Sequence, residues 1–542
     1  MIMEDATTGS REQKQGDEES SLSQLYDSNS TDLSAIPSVK REDLCQLCKR
    51  VNLDRVFNMK VNKRIRLDRG KVVMDLNATK KELEDSDCAL CNLFACAAPS
   101  VQYEEDPGSR LKCQVRAFSA GKVFIGPDSY EFLKNDTILL GVVQVGVDAK
   151  SGKISAYGDI MDRAKDAGFL LSSLQSKMIE SSFGIRRISP EHFDIGFAKT
   201  CLRNCEDHDC CKTEISDSAL SSFFKVIDCN TGMVVKAPPS CRYVALSYLW
   251  GIAQEAKDAQ NQQSIFSFCP KVIRDSTEVT LNLGFQYLWV DRYCINQSDD
   301  TDKHNQIRQM DLIYMNAQVT IIAAAGVDPH YGLPGVNGTL RKQQPFLKIG
   351  RHILAWTLPH PAVSVGQSKW ATRGWTYQEG ILSKRRLIFT DRQLLFECNG
   401  MHRTESVMVP LNAMTEKNTK VFRWDIPSGA FAWKTPGSEP NDAMRYISEF
   451  SRRELTYPED RLNAMKGIFH LFERSKLPIY QITGVPILPT TNRENDYFRH
   501  KRERTAEQSF LVGLTWRPER AGKRDPYFSS WSWAGWTGTL YF

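Results

Sequence analysis

Three short, largely apolar runs, "YVALSY" (243–248), "YLWVD" (287–291) and "VTIIAAAG" (319–326), are separated by stretches long enough to hold one or two helices each. Between them the apolar period changes from strand-like to helical. Val272, Ser276, Val279 and Leu283 share one face of 271–283. Ile307, Met310, Tyr314 and Ala317 form a stripe along 303–317, widened by Leu312, Ile313 and Met315, which predicts a helix buried on two sides. Strand, helix, strand, helix, strand is the rhythm of βαβ units, and such crossovers make the strands parallel. Strands this apolar need cover on both faces, which helices supply. The expected fold class is therefore α/β with a parallel sheet core. In open α/β sheets, ligands bind beyond the carboxyl ends of the strands.

Polar groups collect at those ends. Ser247, Tyr248 and Trp250 close the first run, and Asp291, Cys294, Asn296 and Gln297 close the second. A carboxylate beside aromatic rings can hold ribose hydroxyls or stabilise positive charge at a sugar carbon. The plainer alternative is that Asp291 caps a helix or pairs with Arg292 or Arg308, and that Cys294 is a small buried residue. Further on, "RGWTYQE" (373–379) opens a predicted helix on which Trp375, Gln378 and Glu379 are i,i+3 and i,i+4 neighbours. A glutamate desolvated against an indole would have its pKa raised. Alternatively, Arg373 and Glu379 form an ion pair and Trp375 is core. A hairpin of "RLIFT" and "QLLFEC" follows.

The chain has 15 cysteines, an odd count, and its first residues, "MIMEDATTGSREQKQGDEESS", lack the basic start and apolar stretch of a secretory signal. This points to a reducing compartment, cytoplasmic with the nucleus left open, where clustered cysteines suggest metal before disulfides. Cys45-x2-Cys48 and Cys88-x2-Cys91 supply four thiolates, the closed tetrahedral set of a structural Zn²⁺ site. Buried free thiols or redox pairs are the alternatives. In "CLRNCEDHDCC" (201–211), Cys205, His208 and Cys211 have ligand-like spacing, with Cys201 or Cys210 as a fourth. A plain helix end is the stronger reading there.

The 542 residues exceed one ordinary core. Residues 1–40, rich in Ser, Asp, Glu and Gln, read as a disordered tail. Residues 41–200 form an N-terminal β-rich, Cys-containing unit with strand-like "KCQVRAF" and "TILLGVVQVGV"; 158–185 read as a connection or weak helices. Residues 201–400 hold the α/β core, and 401–542 an α+β extension. In the extension, Leu462, Met465, Phe469 and Phe472 mark a helix, and "YFSSWSWAGWTG" (527–538) reads as β with no chain left to pair its last strand. A net charge of +5 without a basic block argues against nucleic acid, and no apolar run is long enough for a transmembrane helix. A P-loop, GxGxxG after a strand, HExxH and GxSxG are all absent.

In order and spacing, "YVALSYLWG", "YLWVDRYCINQ", "HNQIRQMDLIYMNAQVTIIAAAG" and "WATRGWTYQEGILSKRRLIF" resemble the blocks of the fungal heterokaryon incompatibility (HET) domain, from about Arg242 to Cys398. Leu249 and Cys201 depart from the family pattern. The resemblance implies nonself recognition and programmed cell death in a filamentous fungus. It also implies a distant likeness to TIR domains, hence a TIR/flavodoxin-like sheet. Some TIR domains, once self-associated, use a glutamate to cleave NAD, which is then substrate and not cofactor. The nearest candidates here are Asp291 and Glu379, with Tyr248, Trp250, Cys294, Gln297, Arg308, Trp375 and Gln378 as ligand-binding neighbours. The non-enzymatic alternative uses the same residues as a surface for self-association or protein partners, since Trp and Arg are enriched at binding hot spots.

Overall fold

A computed structural model describes residues 36–59, 70–100, 111–124, 137–147, 154–156, 160–173, 183–206, 208–212, 224–251, 264–409, 430–431, 441–475, 477–489 and 505–542. Most of the expected N-terminal tail lies outside these residues. Its last part does not follow the expectation: Ser38–Val39 is a strand paired in parallel with Lys348–Ile349.

Two eight-stranded sheets organise the molecule. The first runs in the order 38–39, 346–349, 352–356, 170–173, 138–147, 112–119, 71–75, with 154–156 beside 138–147. Apart from its first pair it is antiparallel. The β-rich N-terminal character read from "KCQVRAF" and "TILLGVVQVGV" is present as Lys112–Ser119 and Ile138–Val147. The stretch expected to be a connection contributes helix Ile160–Ala167 and strand Leu170–Ser173. Residues 346–356, which lie within the expected 201–400 unit, complete this sheet. All five residues of His352–Trp356 are buried, so that strand needs a neighbour on each edge and cover on each face.

The second sheet runs 402–404, 394–398, 385–389, 319–323, 243–247, 287–289, 225–228, 233–236. Its four central strands are parallel, as the crossover rhythm predicts. Taken in chain order, 243–247, 287–289, 319–323 and 385–389 lie side by side as second, first, third and fourth. Every residue of Tyr243–Ser247, Val319–Ala323 and Arg385–Phe389 is buried. Helices Lys271–Asn282, Met310–Asn316 and Gly374–Leu382 occupy the crossovers. The single helix expected over 303–317 is two, Asp300–Arg308 and Met310–Asn316, broken at Gln309. The second piece carries Met310, Ile313 and Tyr314 into the core, whereas the first is polar and mostly exposed.

The C-terminal region packs on the same core. Helices Asp442–Ser451 and Asn463–Glu473 bury Tyr446, Phe450, Met465 and Phe472 with residues of the second sheet. Gly467 makes the close approach possible. A Cβ there would meet Asp311 Cβ and Leu382 Cδ1 at 2.8 Å, and its N–H donates to Gln378 Oε1 at 2.7 Å. The aromatic stretch 527–538 is not a strand. Ser532 caps a single turn, Trp533–Gly535, and the fully buried Trp533 indole donates to Gly484 O at 2.7 Å. Burying Trp533 edge-on to Phe450 outweighs its β propensity. The last strand, Leu540–Tyr541, does have a partner, Arg517–Pro518, which precedes it. Among the described residues, no helix is long and apolar enough to cross a membrane.

Gly467→Val should destabilise the protein by about 1–3 kcal/mol through overpacking. Gly366→Ala, where a Cβ meets nothing within 4 Å, should be neutral or stabilising. Urea midpoints of the two variants against the parent test this; equal midpoints would refute the close-approach account.

Candidate functional site

Strand 243–247 ends in Ser247, whose side chain is fully buried. Its hydroxyl accepts from Trp370 Nε1 at 2.8 Å and donates to Glu379 Oε2 at 2.5 Å. Glu379 reaches it from helix Gly374–Leu382, which precedes the fourth parallel strand. The Tyr314 hydroxyl donates to Leu246 O at 3.2 Å and also meets the Glu379 carboxyl. Edge-to-face packing on Trp289, with ring centroids 5.5 Å apart, holds the Tyr314 ring.

Strand Tyr287–Trp289 ends two residues before Asp291, the first residue of the short helix Asp291–Cys294. Asp291 Oδ1 accepts from Arg292 N at 2.7 Å, but Asp291 does not cap the helix: the cap position is Val290, and no side chain caps this helix. Its Oδ2 accepts from Trp250 Nε1 at 2.8 Å. The Arg292 guanidinium turns away and donates to Trp250 O at 3.0 Å, so its hydrogen bond clamps the loop and leaves Asp291 to the indole. Gly251 allows that loop its turn: φ is +70°, and a Cβ would strike Pro329 at 2.8 Å.

The two carboxyls are electrostatic neighbours. Burial pushes Asp291 up to about 6, with its bond to Trp250 and the Arg292 N–H pulling the other way. Glu379 is pushed up to about 8, first by burial and then by the Asp291 charge, against the Ser247 hydrogen bond and the Arg373 charge. Near pH 7 the pair therefore shares one proton and one negative charge, with Glu379 the more strongly raised of the two. That division suits an acid and a charge stabiliser in one site. The Tyr248 hydroxyl is buried without a hydrogen-bond partner, and the same Asp291 charge and burial hold it well above the ordinary tyrosine range.

The other expected site residues divide. Trp250 and Trp375 are half-buried, and Gln297 Nε2 reaches Asp291 O at 3.4 Å. Gln378 is committed to Gly467 N on the C-terminal helix. Cys294 is a core residue whose sulfur accepts from Val290 N at 3.4 Å. Arg308 sits exposed at the end of helix Asp300–Arg308. Ser247 stood out from sequence only as one polar residue at a strand end, Tyr314 read as core, and Trp370 gave no signal, because nothing local marks a buried hydrogen-bond partner.

The cysteine expectation concerns the first sheet. Cys45, Cys48, Cys88 and Cys91 bring their sulfurs within 4.8 Å of one another and could hold a metal ion. Cys45–Cys91 and Cys48–Cys91 are 3.7 and 3.6 Å apart. Tetrahedral Zn–S bonds of about 2.3 Å place sulfurs about 3.8 Å apart. No cysteine is in a disulfide. The second cluster differs from its expected membership: Cys201 is in the core and Cys210 is exposed, and the fourth donor beside Cys205, His208 and Cys211 is Cys398.

The sequence model of the family described as "Heterokaryon incompatibility protein (HET)" matches residues 243–379, which start at the first parallel strand and end at Glu379. Residues 243–379 thus match the HET domain. The chain is also similar to "Heterokaryon incompatibility protein 6, OR allele" of Neurospora crassa, with 27% identity over 139 residues. That match covers 22% of this chain and 18% of the relative, so the likeness is confined to a small part of each protein. No solved structure matches significantly. Both carboxylates of the acidic pair thus fall inside the HET domain.

Unfolded, Glu379 would ionise near 4.5; folded, near 8. Between these values the folded chain holds the extra proton, so this residue makes stability fall as pH rises. Relative to wild type, Glu379→Gln should gain melting temperature steadily from pH 5 to pH 8. Parallel melting-temperature curves for the two proteins would contradict the assignment.

Proposed function

We propose that the protein acts in heterokaryon incompatibility and that its HET domain cleaves the nicotinamide–ribose bond of NAD at the acidic pair. The observation that carries this is the meeting of Asp291 and Glu379 at the strand ends, with their pKa values pushed to about 6 and about 8. The strand order supports it: second, first, third, fourth is the order of flavodoxin-like doubly wound sheets, whose ligands bind at the carboxyl ends. In this reading the C–N bond breaks first. Nicotinamide leaves with the bonding electron pair, and the ionised Asp291 stabilises the cation left on the ribose. Water then adds to the sugar carbon and passes its proton to Asp291. Glu379, protonated, donates a hydrogen bond to a ribose hydroxyl, and the unpartnered Tyr248 hydroxyl offers a second. The half-buried Trp250 presents a stacking face. Self-association and protein partners would supply the trigger, in the cytoplasm.

A second reading has its own support. Glu379 is only 5% exposed and already bonded to Ser247, as a structural carboxyl would be. The HET domain would then act by assembly, with Trp250 and Trp375 on its contact surface.

Nicotinamide release by concentrated, assembled protein separates the two. The first reading expects release that falls at least 100-fold in Asp291→Asn and Glu379→Gln proteins that still fold. No release from assembled wild type favours the second.

We also propose a structural zinc on Cys45, Cys48, Cys88 and Cys91; four thiolates leave no open position, so its role is to hold the first unit together. Cys45→Ser should lower bound zinc by about one equivalent in elemental analysis and reduce the thermal midpoint. Unchanged zinc content would refute the site.

A further inference from the structure

We propose that Cys205, His208, Cys211 and Cys398 form a second zinc site, which staples the segment 201–211 to the end of strand 394–398 in the second sheet. All four residues are buried, and their ligand atoms lie within 4.8 Å of one another. Two successive turns bring the first three together: His208 N donates to Cys205 O at 3.1 Å, and Cys211 N to His208 O at 3.0 Å. The fourth arrives on strand Leu394–Cys398, 190 residues beyond His208, and its sulfur lies 3.4 Å from His208 Nδ1.

The surroundings are those of a charged sulfur cluster. Arg385 Nε donates to Cys205 Sγ at 3.1 Å, and Arg385 lies directly opposite Cys398 in the strand register. Gly400 N donates to Cys398 Sγ at 3.4 Å. A cation and a backbone N–H are donors suited to thiolates, and burying an imidazole with three thiols is unfavourable unless their polar atoms are engaged. Gly400 also leaves room for the ring: a Cβ there would meet His208 Nδ1 at 2.7 Å. Around the cluster, Asn399 Nδ2 donates to Cys210 O at 3.3 Å and Lys384 Nζ to Lys212 O at 2.7 Å, so both segments are held in register.

Three soft sulfurs and one imidazole suit zinc, and four protein ligands leave no open position, which makes the site structural. The site is independent of the four-cysteine site, which belongs to the other sheet. Its consequence reaches the acidic pair. Arg386, next to Arg385, donates to Gly380 O at 2.5 Å and Ile381 O at 3.2 Å, at the end of the helix that carries Glu379. A staple on the neighbouring strand, bonded to Arg385 through Cys205, therefore bears on that helix.

The test is zinc content and cobalt absorption of the full chain. Cys398→Ser should lower bound zinc by one equivalent relative to wild type, while Cys201→Ser and Cys210→Ser, immediate neighbours outside the set, should lower it by none. Cys45→Ser reports the other site separately: if it alone empties the protein of metal, the second site is refuted and the first stands. If Cys398→Ser alone does so, the reverse holds. His208→Cys should keep the metal and shift the cobalt spectrum toward four-thiolate ligation. It also decides the case should Cys398→Ser fail to fold, since a cobalt spectrum identical to wild type overturns the proposal. So does a Cys398→Ser protein with the zinc content of wild type.

Discussion

The hydrogen bond from the Ser247 hydroxyl to the Glu379 carboxyl joins the first parallel strand of the HET domain to the helix that precedes the fourth. A carboxyl placed inside a core must be neutral or well partnered. Ser247 and Tyr314 engage Glu379, and burial with the nearby Asp291 charge favours its neutral form. Because Asp291 comes from the end of the second strand, three crossovers of the sheet converge on one shared proton. A shift in any of these elements would change both pKa values, so the chemistry of the pair and the packing of the sheet are one problem.

That arrangement is supported from outside the HET domain. The neighbour of Glu379 on its helix, Gln378, is bonded to Gly467, and Leu382 packs where Gly467 has no side chain. Arg386 engages carbonyls at the end of the same helix, and its guanidinium lies 4.6 Å from the Phe431 ring centroid. The carboxyl of Glu397, opposite Arg386, accepts from Ala430 N and Phe431 N and is pushed up to about 7 by burial. The C-terminal residues are therefore part of the site's scaffold: the apolar core runs without a break from the parallel strands to Trp533 and Leu540.

Much of this was legible in the chain. The apolar runs at 243, 287 and 319 marked parallel strands because burial on both faces leaves little room for polar residues. Asp291 and Glu379 were found because they follow a strand and share a helix with Trp375. The CxxC pairs were found because a metal set repeats a short spacing. Other features were misread for physical reasons. The break at Gln309 carries no Gly or Pro to announce it. The stretch 527–538 has strand-forming aromatics, yet the burial of Trp533 governs its conformation. Cys398 stands alone in sequence, so nothing local identifies it as a companion of His208.

By itself the sequence determined the period of the core elements, the order of the strands along the chain and the residue types at their ends. These are local quantities: each depends on neighbours a few positions away, and hydrophobic pattern records them directly. Only the tertiary structure decided that a hairpin at 346–356 would complete the first sheet, that Gln378 would serve packing while Glu379 shared a proton with Asp291, and that Cys398 would close the second cluster. Desolvation, charge repulsion and ligand geometry all depend on distances between residues far apart in the chain, and no local pattern carries that information.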